Sequence, residues 1–154
     1  MLKKEKERDA AFAKEVLCDC QYATISMVNA DGTPYCIPVH IVLKDDSVYF
    51  HCATEGQKLE NIKRNGTVCV SAVRRTRVIP EKFTADFESA VMTGKCEIVT
   101  DEKDKIGAMR AICEKYAASN MSNFAVAATP DKLLALCICK ISIEQITGKS
   151  SGGN

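Results

Sequence analysis

The chain contains no tryptophan, aromatic residues make up only 6% of its 154 positions, and its formal net charge is just +1. No global field draws it to nucleic acid or to an acidic membrane, so any preference for anions must be local. Its basic cluster, Arg74, Arg75 and Arg77, has no aromatic side chains interleaved with it. That pattern fits a solvated loop or a pocket border better than a nucleic-acid surface. No apolar run approaches the ~20 residues that a membrane-spanning helix needs. The first residues, Met1 to Asp9, hold no apolar signal core. The expectation is a cytoplasmic protein with no membrane and no nucleic-acid partner. There is no G-x-G-x-x-G after a strand, no Walker motif, no G-x-S-x-G and no H-E-x-x-H. Rossmann dinucleotide binding, P-loop chemistry, serine hydrolysis and zinc proteolysis therefore have no support.

Cysteine, by contrast, is plentiful, with nine in the chain. The number is odd, no C-x-x-C pair or zinc-ribbon spacing occurs, and most of these residues sit inside apolar runs. They read as reduced, mostly buried thiols acting as small apolar side chains. No metal site is predicted. The length suits one domain with a real core, here residues 1–149 with a flexible Gly- and Ser-rich tail at 150–154.

Residues 5–18 form a helix-prone stretch with Ala10, Phe12, Ala13, Val16 and Leu17 as its apolar stripe. Strand text follows at 22–28, at 35–43 and at 48–52, separated by Asn29-Ala30-Asp31-Gly32-Thr33 and Lys44-Asp45-Asp46-Ser47. Such spacing predicts an antiparallel meander. Pro38 cannot donate to a ladder, so it marks an edge, a bulge or a free backbone. A short basic helix near 55–64 precedes a strand at 67–73, a long connection through Arg74–Lys82, and a strand at 87–99 with Gly94 as a bulge. Asp101 and Glu102 open a helix whose apolar face is Ile106, Met109, Ile112, Cys113 and Tyr116. The last strand, 133–143, is apolar on both faces and needs a cover from a helix or a partner, and a loose tail follows from Thr147. The sum is a mainly β, α+β chain, a six-stranded antiparallel split β-barrel with flanking helices.

The stretch from Phe50 to Asn65 concentrates the candidate chemistry. Thr54 and Gln57 stand three apart, as a capping box requires. The free N–H groups of a helix start attract an anion. Gly56 lets a ligand approach the backbone, and Lys58 adds a cation suited to a phosphate monoester. Lys63 and Arg64 read equally well as solvated charges. The chain has two histidines, His40 and His51, on strands joined by one hairpin. Each is either a satisfied strand residue or a pocket donor that titrates near neutral pH. Zinc held by both with Cys36 or Cys52 is conceivable, yet no spacing demands it.

These motifs, taken in order, resemble the FMN-binding split-barrel superfamily of pyridoxamine 5′-phosphate oxidase, nearest the 5-nitroimidazole reductases. The resemblance rests on Asp31-Gly32-Thr33-Pro34-Tyr35 leading into Ile37-Pro38-Val39-His40, then on Tyr49 to Ile62 with Asn65, on Phe87 to Lys95, and on Ile146-Thr147-Gly148-Lys149. It implies a homodimer with FMN at the interface. By this likeness Lys58 binds the FMN phosphate with Gly56 and Gln57 beside it. His51, Cys52 and Ala53 follow the ribityl chain and flavin edge. Pro38, Val39, His40 and Ile41 lie along the ring, and Ser89 reaches the cofactor from the partner subunit. His51 matches the histidine near the flavin in the nitroimidazole-reductase branch and is the catalytic candidate. Gly56 and Gln57 stand where the oxidase proper has serine and arginine, and Gly66 follows Asn65 where proline is common. No match to the oxidase's substrate-phosphate residues is found, which argues against vitamin B6 oxidation. The implied activity is an FMN-dependent oxidoreductase acting on a small flat acceptor such as a nitroaromatic. The alternative is a non-enzymatic carrier or redox sensor for flavin, haem or deazaflavin.

Overall fold

Antiparallel hairpins organise the chain. The computed structural model describes residues 3–152. After a 3-10 turn at Lys4–Lys6 come β1 (Glu7–Arg8), α1 (Ala10–Asp19), β2 (Ala23–Val28), β3 (Pro34–Val39), β4 (Val42–Lys44) and β5 (Ser47–Cys52). Then follow α2 (Gln57–Arg64), β6 (Thr67–Ile79), β7 (Thr84–Ile98), α3 (Glu102–Tyr116), α4 (Phe124–Ala127), α5 (Pro130–Leu134) and β8 (Cys137–Ser151). The sheet runs β3-β2-β6-β7-β8-β5-β4, with β1 added to β8. Its two ends, β3 and β4, are consecutive in the chain and separated only by His40 and Ile41. The sheet must therefore curl until its edges meet at that point.

The period-2 alternation of the strands fills the inside of the curl. Ile25 and Met27 of β2, Val48 and Phe50 of β5, Val68 and Val70 of β6, Met92 of β7 and Ile141 of β8 share one core. Burying each large side chain is worth about 1.5–3 kcal/mol. Ala13, Val16 and Leu17 of α1 enter the same core, and Asp9 caps that helix by accepting from the Phe12 N–H at 2.8 Å. A second cluster joins Val42, Tyr49 and Ile138 to Ala108 and Ile112 of α3. This helix is the cover that the doubly apolar last strand requires. Asp101 caps it through the Asp104 N–H at 2.9 Å.

Several expectations change. The sheet has eight strands, not six. Residues 35–43 break into β3 and β4 because the Ile41 peptide groups bond to side chains of α3 rather than to a ladder. Glu7–Arg8, expected to be helical, pairs with Gly148 and Lys149 instead. The connection at 74–82 is largely strand, since β6 and β7 keep pairing out to Ile79 and Thr84. The last strand begins at Cys137, because Pro130 at a helix start sets α5 over residues 130–134. It then runs on to Ser151, so Thr147–Ser151, expected to be loose, are laddered to β7. The register does shift at Gly94, with Thr93 opposite Gln145 and Gly94 opposite Ile143. Gly94 is needed there because a Cβ would lie 2.0 Å from the Ser142 carbonyl oxygen. Among the described residues, no helix is long and apolar enough to cross a membrane.

Candidate functional site at the start of α2 and the β3–β4 break

β5 ends with His51 facing outward and Cys52 facing the core. The exposed loop 53–56 then carries the chain to α2. Gly56 has φ +120°, which side-chain-bearing residues rarely adopt, and serves as the N-cap. Its carbonyl accepts from the Leu59 and Glu60 N–H groups at 2.9 and 3.2 Å. The N–H groups of Gln57 and Lys58 have no partner within the helix and face outward from its positive end.

The expected capping box is not formed, as no side chain caps α2. The helix starts at Gln57 itself, so the Thr54–Gln57 spacing is out of register with the cap. The Gln57 amide donates instead to Asn29 Oδ1 at 2.9 Å. The buried Asn61 donates to the same oxygen at 2.8 Å, and Arg64 spans Asn61 Oδ1 and the Val28 carbonyl at 3.0 and 2.6 Å. Asn29 also donates to Thr33 Oγ1 at 3.0 Å. The β2–β3 turn thus holds the start of α2.

His51 lies next to this helix start. Burial lowers its pKa from the ordinary value, and the positive charges of His40 and Lys58 lower it further. An anion placed nearby would offset the two positive charges that act on His51. Among the described residues β3 pairs only with β2, so its other edge is open at Pro38 and Val39. Tyr22, Pro38, Val39 and His40 line a cavity of about 390 Å³ there.

Other predicted site residues stand apart from this surface. Ile41 is fully buried, and Tyr116 and Lys115 occupy its peptide groups, so it supports the site from beneath. Cys52 points inward, where the Cys139 side chain and burial hold its thiol protonated, far above the ordinary thiol range. Ala53 is exposed in the loop. Ser89 lies on β7, three strands from β3 and roughly 14 Å across the sheet at ~4.8 Å per strand. Its hydroxyl donates to the Lys149 carbonyl at 3.4 Å. All nine cysteines are free, with Cys18 and Cys36 exposed and Cys20, Cys52, Cys96 and Cys139 buried. Among the described residues, no group of three or more His, Cys, Asp or Glu is placed to hold a metal.

Asn29, Lys115 and Tyr116 are parts of this arrangement that sequence reasoning did not single out. Asn29 read as a turn residue and Tyr116 as one more apolar position on α3. No local signal ties Tyr116 to Ile41, 75 positions away.

The family model for pyridoxamine 5′-phosphate oxidase matches residues 9–150. The chain belongs to this family. Among curated proteins, none matches it in sequence. Pyridoxamine 5′-phosphate oxidase-like architecture recurs in solved structures. A candidate 5-nitroimidazole antibiotic resistance protein from Bacteroides thetaiotaomicron is 22% identical with a TM-score of 0.75, over 93% of this chain and 84% of that one. An FAD- and haem-binding protein from Mycobacterium smegmatis is 20% identical with a TM-score of 0.83, over 96% of this chain and 74% of that one. An FAD-binding protein from Mesorhizobium loti is 21% identical with a TM-score of 0.67, over 96% and 98%. At these identities the likeness establishes the fold.

Proposed function

We propose that the chain is a flavin-dependent oxidoreductase that binds FMN at the start of α2. The observation that carries this reading is the start of α2, where Gly56 is the N-cap, no side chain caps the helix and half-buried Lys58 stands in the first turn. A phosphate monoester fits there, since backbone donors, a positive helix end and an ammonium all act on it. A flat ring fits the open edge of β3, where Pro38 withdraws a donor and the cavity wall is largely apolar. The family membership and the flavin-binding neighbours support the same reading.

The bound flavin would supply two-electron chemistry, and the chain's own residues seat it and manage protons. Lys58 binds the phosphate, and Asn29 fixes the helix that carries Lys58. His51 takes up or releases a proton on an imidazole nitrogen beside the site. The electron donor in this reading is a reduced nicotinamide, and the acceptor is a small flat electron-poor molecule such as a nitroaromatic. The chain acts as a homodimer, the second copy bringing its Ser89 to the cofactor. The outer sheet face supports that pairing, because Val73 and Val91 are 49% and 43% exposed beside the short side chains of Thr24 and Ser71.

The test is the visible spectrum of the purified protein with added FMN. Flavin bands that a reduced nicotinamide bleaches and a nitroaromatic restores are expected. Failure to take up FMN would overturn the reading. A second reading, a non-enzymatic flavin or haem carrier, draws on the Mycobacterium smegmatis neighbour described as binding both FAD and haem. A Soret band, or a bound flavin inert to every donor, would favour it.

A further inference from the structure

The edge that would carry the flavin is interrupted at His40–Ile41, and side chains fill the gap. Tyr116 Oη accepts from the Ile41 N–H at 3.1 Å and donates to the Ile41 carbonyl at 2.7 Å. One phenol thus does for this peptide what a neighbouring strand does in a ladder. Lys115 Nζ donates to the same carbonyl at 2.9 Å and to the Leu17 carbonyl in the last turn of α1 at 3.1 Å. The last turn of α3 therefore ties α1 to the β3–β4 break.

The Tyr116 ring also lies against His40, with centroids 4.7 Å apart and planes tilted by 59°. Lys115 Nζ stands 5.0 Å from the centroid of the same ring. Keeping this lysine half-buried has a cost, and burial lowers its pKa. The fold meets that cost at the one place where the sheet edge must change direction under an exposed histidine.

We propose that Tyr116 is a positioning residue for His40: its hydroxyl fixes the Ile41 peptide and its ring backs the imidazole, so that His40 is held in one orientation beside His51 at the open edge of β3. The purpose of that orientation, presenting an imidazole to the flavin or its acceptor, rests on the proposed function. The geometry does not.

The chain's two histidines make the test direct. Imidazole proton resonances are followed by NMR through a pH titration of the full chain without added cofactor, assigned with His40→Gln and His51→Gln. Tyr116→Phe keeps the ring and removes both hydrogen bonds, whereas Tyr116→Leu removes the ring as well. In the parent chain the His40 ring protons are expected upfield, under the Tyr116 ring current. Tyr116→Phe should reduce that shift, and Tyr116→Leu should abolish it. In both, the His51 midpoint should rise towards the ordinary histidine value, because the His40 charge is no longer held near it. The other charge acting on His51, that of Lys58 on α2, is unchanged, as is Lys115, which holds the Ile41 and Leu17 carbonyls. His40 signals and a His51 midpoint that stay put in Tyr116→Phe would overturn the proposal, and this near-isosteric variant decides the matter even where Tyr116→Leu does not fold. An FMN titration of the parent chain keeps the two claims apart. No uptake with a shifted His40 overturns the flavin reading and upholds the positioning role, whereas uptake with an unmoved His40 does the reverse.

Discussion

Asn29 Oδ1 accepts hydrogen bonds from Gln57 at 2.9 Å and from the buried Asn61 at 2.8 Å, so one turn side chain fixes the first two turns of α2. Asn29→Ala leaves the Asn61 amide buried without an acceptor. Such a group costs about 1–3 kcal/mol. Urea denaturation should show a lower midpoint with an unchanged slope. Asn29→Asp keeps both acceptor contacts and should lose much less. Equal midpoints for Asn29→Ala and the parent would show that this contact contributes nothing.

Lys58 is half-buried at the helix start, where its ammonium can face a phosphate. A charge-assisted hydrogen bond is worth about 1.5–3 kcal/mol, and each ~1.4 kcal/mol is tenfold in affinity. Lys58→Ala should therefore weaken FMN binding by roughly 10- to 100-fold. Lys63, exposed on the same helix, serves as the control and should change little. Flavin fluorescence quenching at moderate salt measures both. Equal affinities for Lys58→Ala and the parent would remove Lys58 from the seat.

The pH dependence of binding follows from His51. Its pKa is below the ordinary 6.5 in the free protein, through burial and then the charges of His40 and Lys58. A bound phosphate dianion offsets those charges and raises the His51 pKa. The complex then binds more protons than the free chain between the two values. FMN affinity should fall as pH rises through that window and level off above the bound-state pKa. His51→Gln should flatten the profile, and a variant as pH-dependent as the parent would assign the proton elsewhere.

The outer sheet face provides a test of assembly. Val91 is exposed, opposite Ser71 on β6 and Thr147 on β8. Val91→Glu places a charge where a second copy would pack and should lower the mass by light scattering from twice 16.8 kDa to 16.8 kDa. FMN affinity should fall with it, because the proposed dimer is what would bring Ser89 of the second copy to the site. A parent chain that is monomeric at micromolar concentration would rule out the homodimer.

The local elements were legible because their causes are local. Strand text over 22–28 and 48–52, set off by turn residues, predicts β2 and β5 from consecutive residues alone. Asp101 and Glu102 predict the start of α3 because acidic side chains suit a helix's positive end, and the folded chain uses Asp101 as its cap. The proposed anion seat at Gly56 and Lys58 rests on a local cause too, because a helix end exposes its own N–H groups wherever it occurs. Pro38 announces a weak point in the ladder because it has no N–H to give.

Long-range partners were not legible in the same way. The Thr54–Gln57 spacing looked like a cap, yet Gln57 found a better acceptor in Asn29, 28 positions away. The tail at 147–151 looked loose, yet β7 offered it a ladder. Residues 35–43 carried the text of one strand, and only a tyrosine arriving on α3 took the Ile41 peptide and turned the chain. Side-chain periodicity and helix-end electrostatics are properties of a few consecutive residues, so β2, β5 and the start of α3 could be read from the chain directly. Where the strand breaks, what holds α2 and which histidine meets which charge depend on hydrogen-bond competition between distant segments, and only the folded chain decides that competition.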